Sequence, residues 1–251
     1  MTYCLAAIVD DGLVFVSDSR TNAGIDSLGT FSKMHAFTKL PGRFFTLLSA
    51  GNLATTQAVI ARLERDIREG EKHSLAVVET MREAALYIGG INREMQARYP
   101  EDERPAGFVP DADFIFGGQI AGSSHALFHI YAAGNFYAPT PRAPYVQIGE
   151  QKYGKPILDR ILTSNTELET AARCGLVSMD STTRSNASVG PPIEIMLYRA
   201  GAPGASIHRV FEEDDAYLRQ LRQAWAERLL LAFASLPPIE LPLPAVRVVE
   251  N

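Results

Sequence analysis

Met1-Thr2-Tyr3-Cys4-Leu5-Ala6-Ala7-Ile8-Val9 opens the chain, and Leu13-Val14-Phe15-Val16-Ser17 follows across Asp10-Asp11-Gly12. Both apolar runs read as β-strands, and the link is a hairpin signal with glycine where positive φ is least costly. A strand that begins at residue 2 predicts that the terminus itself is built into the fold, whereas most termini are left loose. A secretory signal needs a basic stretch ahead of its apolar run, and none stands here. Strand-like runs continue at 32–39 and 43–49, joined by Pro41-Gly42.

Beyond residue 50 the period changes. Val59, Ile60, Leu63 and Ile67 recur at helical spacing up to a Gly70 stop. Val77, Val78, Met81, Ala85, Ile88, Ile91 and Met95 then share one broad apolar face up to Tyr99-Pro100. Strands are expected again at 113–121, 126–132 and 145–148, helices at 153–163 and 167–177, and strands at 193–198 and 206–211. Strands, two helices, strands, two helices, strands is the order of two sheets packed face to face with a helix pair outside each. The 214–234 segment places Leu218, Leu221, Trp225, Leu229 and Phe233 at steps of three or four, an amphipathic helix. A proline-rich extended run, 236–244, follows it. Such a helix either packs on its own domain or makes a subunit contact.

Composition removes several function classes. The 251 residues carry 24 Lys plus Arg against 29 Asp plus Glu, a net charge of −5, which disfavours a basic nucleic-acid face. With 46% hydrophobic and 21% charged residues the chain is an ordinary globular one, neither disordered nor fibrous. No apolar run approaches the ~20 residues that span a bilayer, so a cytoplasmic protein without membrane or nucleic-acid partners is expected. Cys4 and Cys174 cannot build a disulfide framework, which fits a reducing compartment, and five scattered histidines suggest neither a metal site nor a cofactor.

Familiar motifs fail in detail. Gly149-Glu150-Gln151-Lys152-Tyr153-Gly154-Lys155 approaches a P-loop, but Pro156 stands where a magnesium-binding hydroxyl belongs and Glu150 would repel phosphate. His125 and His129 fall in a strand, where four residues span about 13 Å, so they read as surface or satisfied histidines. Asn186-Ala187-Ser188 matches a glycosylation acceptor by pattern only, and there is no Gly-x-Ser-x-Gly elbow. The hydroxyl-rich 178–188 stretch reads as a loop with local backbone capping.

Thr2 remains. Met followed by a small residue favours methionine removal, which would free a Thr carrying both a hydroxyl and an α-amine. The hydroxyl needs a base, and an α-amine with a pKa near ~8 can serve within the same residue once neutral. A nearby Lys⁺ would lower that pKa and stabilise the alkoxide, and an Asp would orient the Lys. Asp18, ending the second strand, and Lys33, opening the third, are candidates on antiparallel neighbours of the Thr2 strand. Read alone, Asp18 is equally a turn residue and Lys33 an exposed strand charge.

Together these features resemble the catalytic β-subunits of proteasomes and their N-terminal-nucleophile relatives: Thr2 starting a strand, Ser17-Asp18-Ser19-Arg20, Lys33, and Leu48-Ser49-Ala50-Gly51 before a helix. Phe114-Ile115-Phe116-Gly117-Gly118 and Ile148-Gly149-Glu150 are similar to later landmarks of that family, in the same order. The length, Ser185-Asn186-Ala187-Ser188-Val189-Gly190 and the Trp-bearing C-terminal helix most resemble Anbu, the bacterial subgroup also called the ancestral β-subunit.

The resemblance implies an α+β fold, a four-layer αββα sandwich with two antiparallel sheets between helix pairs, over 1–211. It leaves 212–251 as an amphipathic helix and Pro-rich tail for assembly. It implies Thr2 as nucleophile and, through its amine, base, with Asp18 and Lys33 tuning it and the Gly51 N–H as oxyanion donor. Ser188 corresponds to the family serine that hydrogen-bonds near the amine. Ser185 stands where proteasomal subunits usually have an Asp, and Glu150 where a Ser usually follows Gly149. The implied activity is a threonine-nucleophile peptide or amide hydrolase working through an acyl-enzyme, without metal or cofactor, inside a large homo-oligomer, ring or open spiral. The alternative is a proteolytically inactive or narrowly specific proteasome-like shell or assembly subunit.

Overall fold

The structure, a computed structural model, describes residues 1–22, 28–202 and 204–239. It forms two units, Met1–Asp215 and Ala216–Asn251. In the first, β1 (Tyr3–Val9) and β2 (Gly12–Asp18) form the expected hairpin, followed by the short β3 (Arg20–Asn22) and β4 (Leu28–Thr30). Then come β5 (Met34–Phe37), β6 (Arg43–Gly51), α1 (Leu53–Glu69) and α2 (Met81–Gln96). The chain continues through β7 (Ala112–Ile120), β8 (Ala126–Ile130), β9 (Phe136–Tyr137) and β10 (Tyr145–Gly149) to α3 (Lys155–Ile161) and α4 (Leu168–Ser185). It ends on β11 (Ile193–Arg199) and β12 (Ser206–Phe211).

Among the described residues these strands make two five-stranded antiparallel sheets, ordered β10-β1-β2-β11-β12 and β5-β6-β7-β8-β9. Strand alternation builds the layers, because successive side chains leave a strand on opposite faces. On β6, Phe44, Leu48 and Ala50 join Cys4, Ala6 and Phe15 between the sheets, where Phe44 stacks on Tyr198 at 4.0 Å. The alternate residues Phe45 and Leu47 meet Val59, Ile60 and Leu63 of α1 and Ile88 and Ile91 of α2. On the far side α4 lies across β1, β2 and β11 and packs beside α3. The αββα sandwich is the observed architecture.

Local chemistry sets the helix ends. Asn52 caps α1 by accepting the Thr55 N–H at 3.1 Å, and Gly70 ends it in the left-handed region at φ 67°. Thr80 caps α2 at the Glu83 N–H, 3.0 Å, so α2 begins at Met81 and the Val77 and Val78 of the expected face lie in a turn ahead of it. The largest departure is α4, which runs on to Ser185 instead of ending at residue 177. The stretch read as a hydroxyl-rich loop is therefore helix up to Ser185. Thr182 and Thr183 donate to the Ser178 and Asp180 carbonyls of their own helix, which satisfies hydroxyls that would otherwise compete with it.

Of the two histidines, His125 bonds the Val9 carbonyl through Nε2 at 2.8 Å. His129 is buried between Tyr131 and Tyr137, and its Nε2 has no partner, so it is not the satisfied or surface residue expected. The second unit consists of α5 (Ala216–Ala234) and the residues after it. Leu229, Leu230, Leu231 and Phe233 are all exposed, so the apolar residues of its last turns spread around the helix and form no single stripe. Most of the 236–244 run lies outside the described residues.

Candidate active site

β1 and β10 place Thr2. Gly149 ends β10 at φ 80°, and an added Cβ there would collide with the Thr2 carbonyl oxygen, so glycine allows the two backbones to close. The Glu150 N–H then donates to that oxygen at 2.8 Å. The terminus is thus pinned by main-chain bonds one residue before the sheet register begins, at Tyr3 opposite Gly149.

Asp18, at the end of β2, is fully buried directly behind this point. Its Oδ1 accepts the Tyr3 N–H at 3.0 Å and Lys33 Nζ at 2.6 Å, and its Oδ2 accepts the Gly190 N–H at 3.3 Å. Burial pushes this carboxyl up, against the pull of Lys33 and the two backbone donors. Lys33 Nζ also donates to the Arg20 carbonyl at 2.8 Å, so two of its three hydrogens are committed and one remains for the cavity it shares with Thr2. Lys33 does not open a strand beside the Thr2 strand. It precedes β5 in the opposite sheet, and its side chain reaches Asp18 at 2.6 Å.

A cavity of about 100 Å³ holds Thr2, Lys33 and Gly51 in its wall. Gly51 ends β6 at φ 110°, where a Cβ would collide with the Asp111 carbonyl oxygen. The chain turns there directly into α1, whose first residues Leu53, Thr56 and Gln57 complete one side of the cavity. A helix N-terminus carries partial positive charge, so this wall favours a developing oxyanion. The Met1 amine sits by the ion pair. Burial lowers its pKa below the ordinary 8.0, Lys33 lowers it further, and Asp18 partly opposes them.

The remaining candidates lie elsewhere. Ser185 is the last residue of α4 and exposed, and Ser188 is half-buried in the following turn with its N–H on Asn186 Oδ1 at 3.0 Å. Neither lines the cavity. The side chain of this segment that reaches the terminus is Asn186, whose Nδ2 donates to Glu150 Oε2 at 3.1 Å and to Met1 Sδ at 3.0 Å. Its signal in the sequence was an Asn just past a helix, which reading that helix short concealed. Buried Tyr3 was also passed over: its hydroxyl meets Ser178 Oγ and Gln147 Nε2, both at 2.6 Å, and ties β1 to α4 and β10. Both thiols are inert, since burial pushes Cys174 up to about 12 and Cys4 up as well. Among the described residues no three His, Cys, Asp or Glu side chains are arranged to hold a metal ion.

No family model and no curated protein matches the chain significantly. Solved structures do. Anbu (ancestral beta-subunit) from Yersinia bercovieri superposes with a TM-score of 0.89 at 44% identity, covering 96% of this chain and 99% of that one. This chain belongs to the Anbu family. The helical assembly of the Anbu complex from Pseudomonas aeruginosa is similar at TM-score 0.90 and 44% identity, over 95% of this chain and 98% of that one. Anbu from Hyphomicrobium sp. strain MC1 follows at 0.87 and 40%, over 96% and 100%. The similarity thus spans nearly all of this chain.

Proposed function

We propose that this Anbu chain is an N-terminal threonine hydrolase of peptide or amide bonds. The observation that carries the reading is that Thr2, Lys33 and Gly51 share one cavity while buried Asp18 holds Lys33 at 2.6 Å. Removal of Met1 frees the Thr2 amine; burial and the Lys33 charge at this position push an amine toward its neutral form, which is the form that serves as base. Thr2 Oγ attacks the carbonyl carbon as its proton passes to the amine, and the Gly51 N–H with the α1 terminus stabilises the oxyanion. The amine then protonates the leaving nitrogen, the C–N bond breaks and an ester remains. Water, deprotonated by the same amine, adds to the ester, and Thr2 Oγ leaves with the proton. No metal or cofactor enters these steps.

Ser185 and Ser188 contribute through the turn that carries Asn186 to the terminus. The Pseudomonas aeruginosa relative forms a helical assembly. We extend self-association to this chain, with the second unit, rich in exposed Leu and Phe, as the assembly contact. No helix among the described residues is long and apolar enough to cross a membrane, and we place the activity in the cytoplasm.

The test is intact mass before and after treatment with a β-lactone. Loss of Met1 and one adduct, present in the parent and absent in Thr2→Ala, supports the hydrolase. A processed chain whose Thr2 stays unmodified supports the alternative, a shell subunit without peptidase activity. Sedimentation as a monomer at micromolar concentration would refute self-association.

A further inference from the structure

The cavity beside Thr2 is small and carries little net charge. At about 100 Å³ it is smaller than the ~150 Å³ cavity that accepts a benzene ring, so an aromatic side chain does not fit wholly inside it. Among the described residues its titratable side chains are Lys33 and His35. Lys33 is already paired with Asp18 at 2.6 Å, so its charge is largely matched and gives an acidic side chain little net attraction. Among the described residues no Asp or Glu lines the wall, so a basic side chain finds no counter-ion among them. Thr21, Ser32, Ser49, Thr56 and Gln57 offer hydroxyl and amide groups among Ala50 and Leu53.

His35 sets the limit of this space. On β5 it pairs with Leu47, two residues along β6 from Ser49, and residues two apart on a strand share a face. The ring therefore stands on the Ser49 side of the sheet, the side on which α1 closes the cavity. Burial keeps its imidazole below the ordinary value, against the pull of Glu194, so it lines the wall as a neutral ring.

We propose that this cavity receives the substrate side chain on the acyl side of the scissile bond, that it selects small uncharged side chains of alanine to valine size, and that His35 is the residue that excludes larger ones. The inference rests on Thr2 being the nucleophile.

The test uses the full chain in its native assembly, with Met1 removal verified by mass. Peptide vinyl sulfones that differ only in the residue next to the electrophile (Ala, Thr, Val, Phe, Arg or Asp) are compared with a β-lactone that carries no side chain. Thr2 adduct formation is followed by intact mass. Ala, Thr and Val probes should react at least about tenfold faster than Phe, Arg and Asp probes, the discrimination that one or two methylenes of misfit produce. His35→Ala should raise the Phe-to-Ala rate ratio about tenfold, and His35→Phe should lower the Val-to-Ala ratio. Both ratios are insensitive to the fraction of folded protein.

Equal or faster labelling by Phe, Arg or Asp overturns the pocket, as does labelling by the bare lactone alone. Ratios unmoved in both variants overturn the role of His35. Failure of every probe, the lactone included, overturns the nucleophile itself.

Discussion

Replacing Lys33 with Met tests the ion pair behind Thr2 most directly. Asp18 is fully buried, and among the described residues Lys33 Nζ at 2.6 Å is the cation hydrogen-bonded to it, beside two backbone N–H groups. Removing one member of a buried pair costs about 3–5 kcal/mol, because the other charge stays buried without compensation. The two backbone donors that remain place the expectation at the lower end, ~3 kcal/mol. The carboxyl can escape by taking up a proton, which loss of the Lys33 charge favours further. Burial already raises this group above its unfolded value, so in Lys33→Met the folded state holds the proton more tightly still. The sign follows. Stability from a raised carboxyl is fully present below the unfolded pKa and is lost as pH rises through the folded one. The deficit should therefore be largest near pH 8 and shrink by about 1 kcal/mol or more toward pH 5. Urea unfolding of parent and variant at both pH values, at one protein concentration, measures it. A deficit below ~0.5 kcal/mol, or one that does not change with pH, would show that Asp18 and Lys33 are not the tightly coupled buried pair described.

In the processed parent, β-lactone labelling of Thr2 should rise with pH with its midpoint below pH 8, because the reactive form is the neutral amine and burial and Lys33 lower the pKa of the amine at this terminus, as they do for Met1; a midpoint above pH 8 contradicts this. Gly51→Ala forces a Cβ into the Asp111 carbonyl at φ 110° and should cost ~2–3 kcal/mol with loss of labelling, read by thermal melting and mass. Tyr3→Phe strands the buried Ser178 and Gln147 groups and should lower stability by ~2 kcal/mol at an unchanged denaturant slope. Thr2→Ser should keep the lactone adduct that Thr2→Ala loses, since it retains the hydroxyl.

Much of this was legible along the chain. The β1–β2 hairpin, the switch to helical period after Gly51 and the stop at Gly70 are all local events, set by side-chain alternation, apolar spacing and glycine backbone freedom. The misreadings are instructive. Serine and threonine disfavour helix in isolation, so residues 178–185 looked like a loop. In the fold their hydroxyls bond helix carbonyls and Tyr3, and burial of Met179 and Thr182 holds the extra turns. Tertiary packing overrode local preference there, and with the helix end went the position of Asn186.

By itself the sequence determined the order of elements, the strand that begins at Thr2, and the presence of Asp18, Lys33 and Gly51 at the ends of successive segments. Which of these meet was decided only by the tertiary structure. Lys33 comes from the facing sheet, Gly51 from the turn into α1, and Asn186 from the far end of α4. Local periodicity states which face of an element is buried but not which element covers it. That choice is made when the two sheets stack, and the cavity at Thr2 exists only after they have.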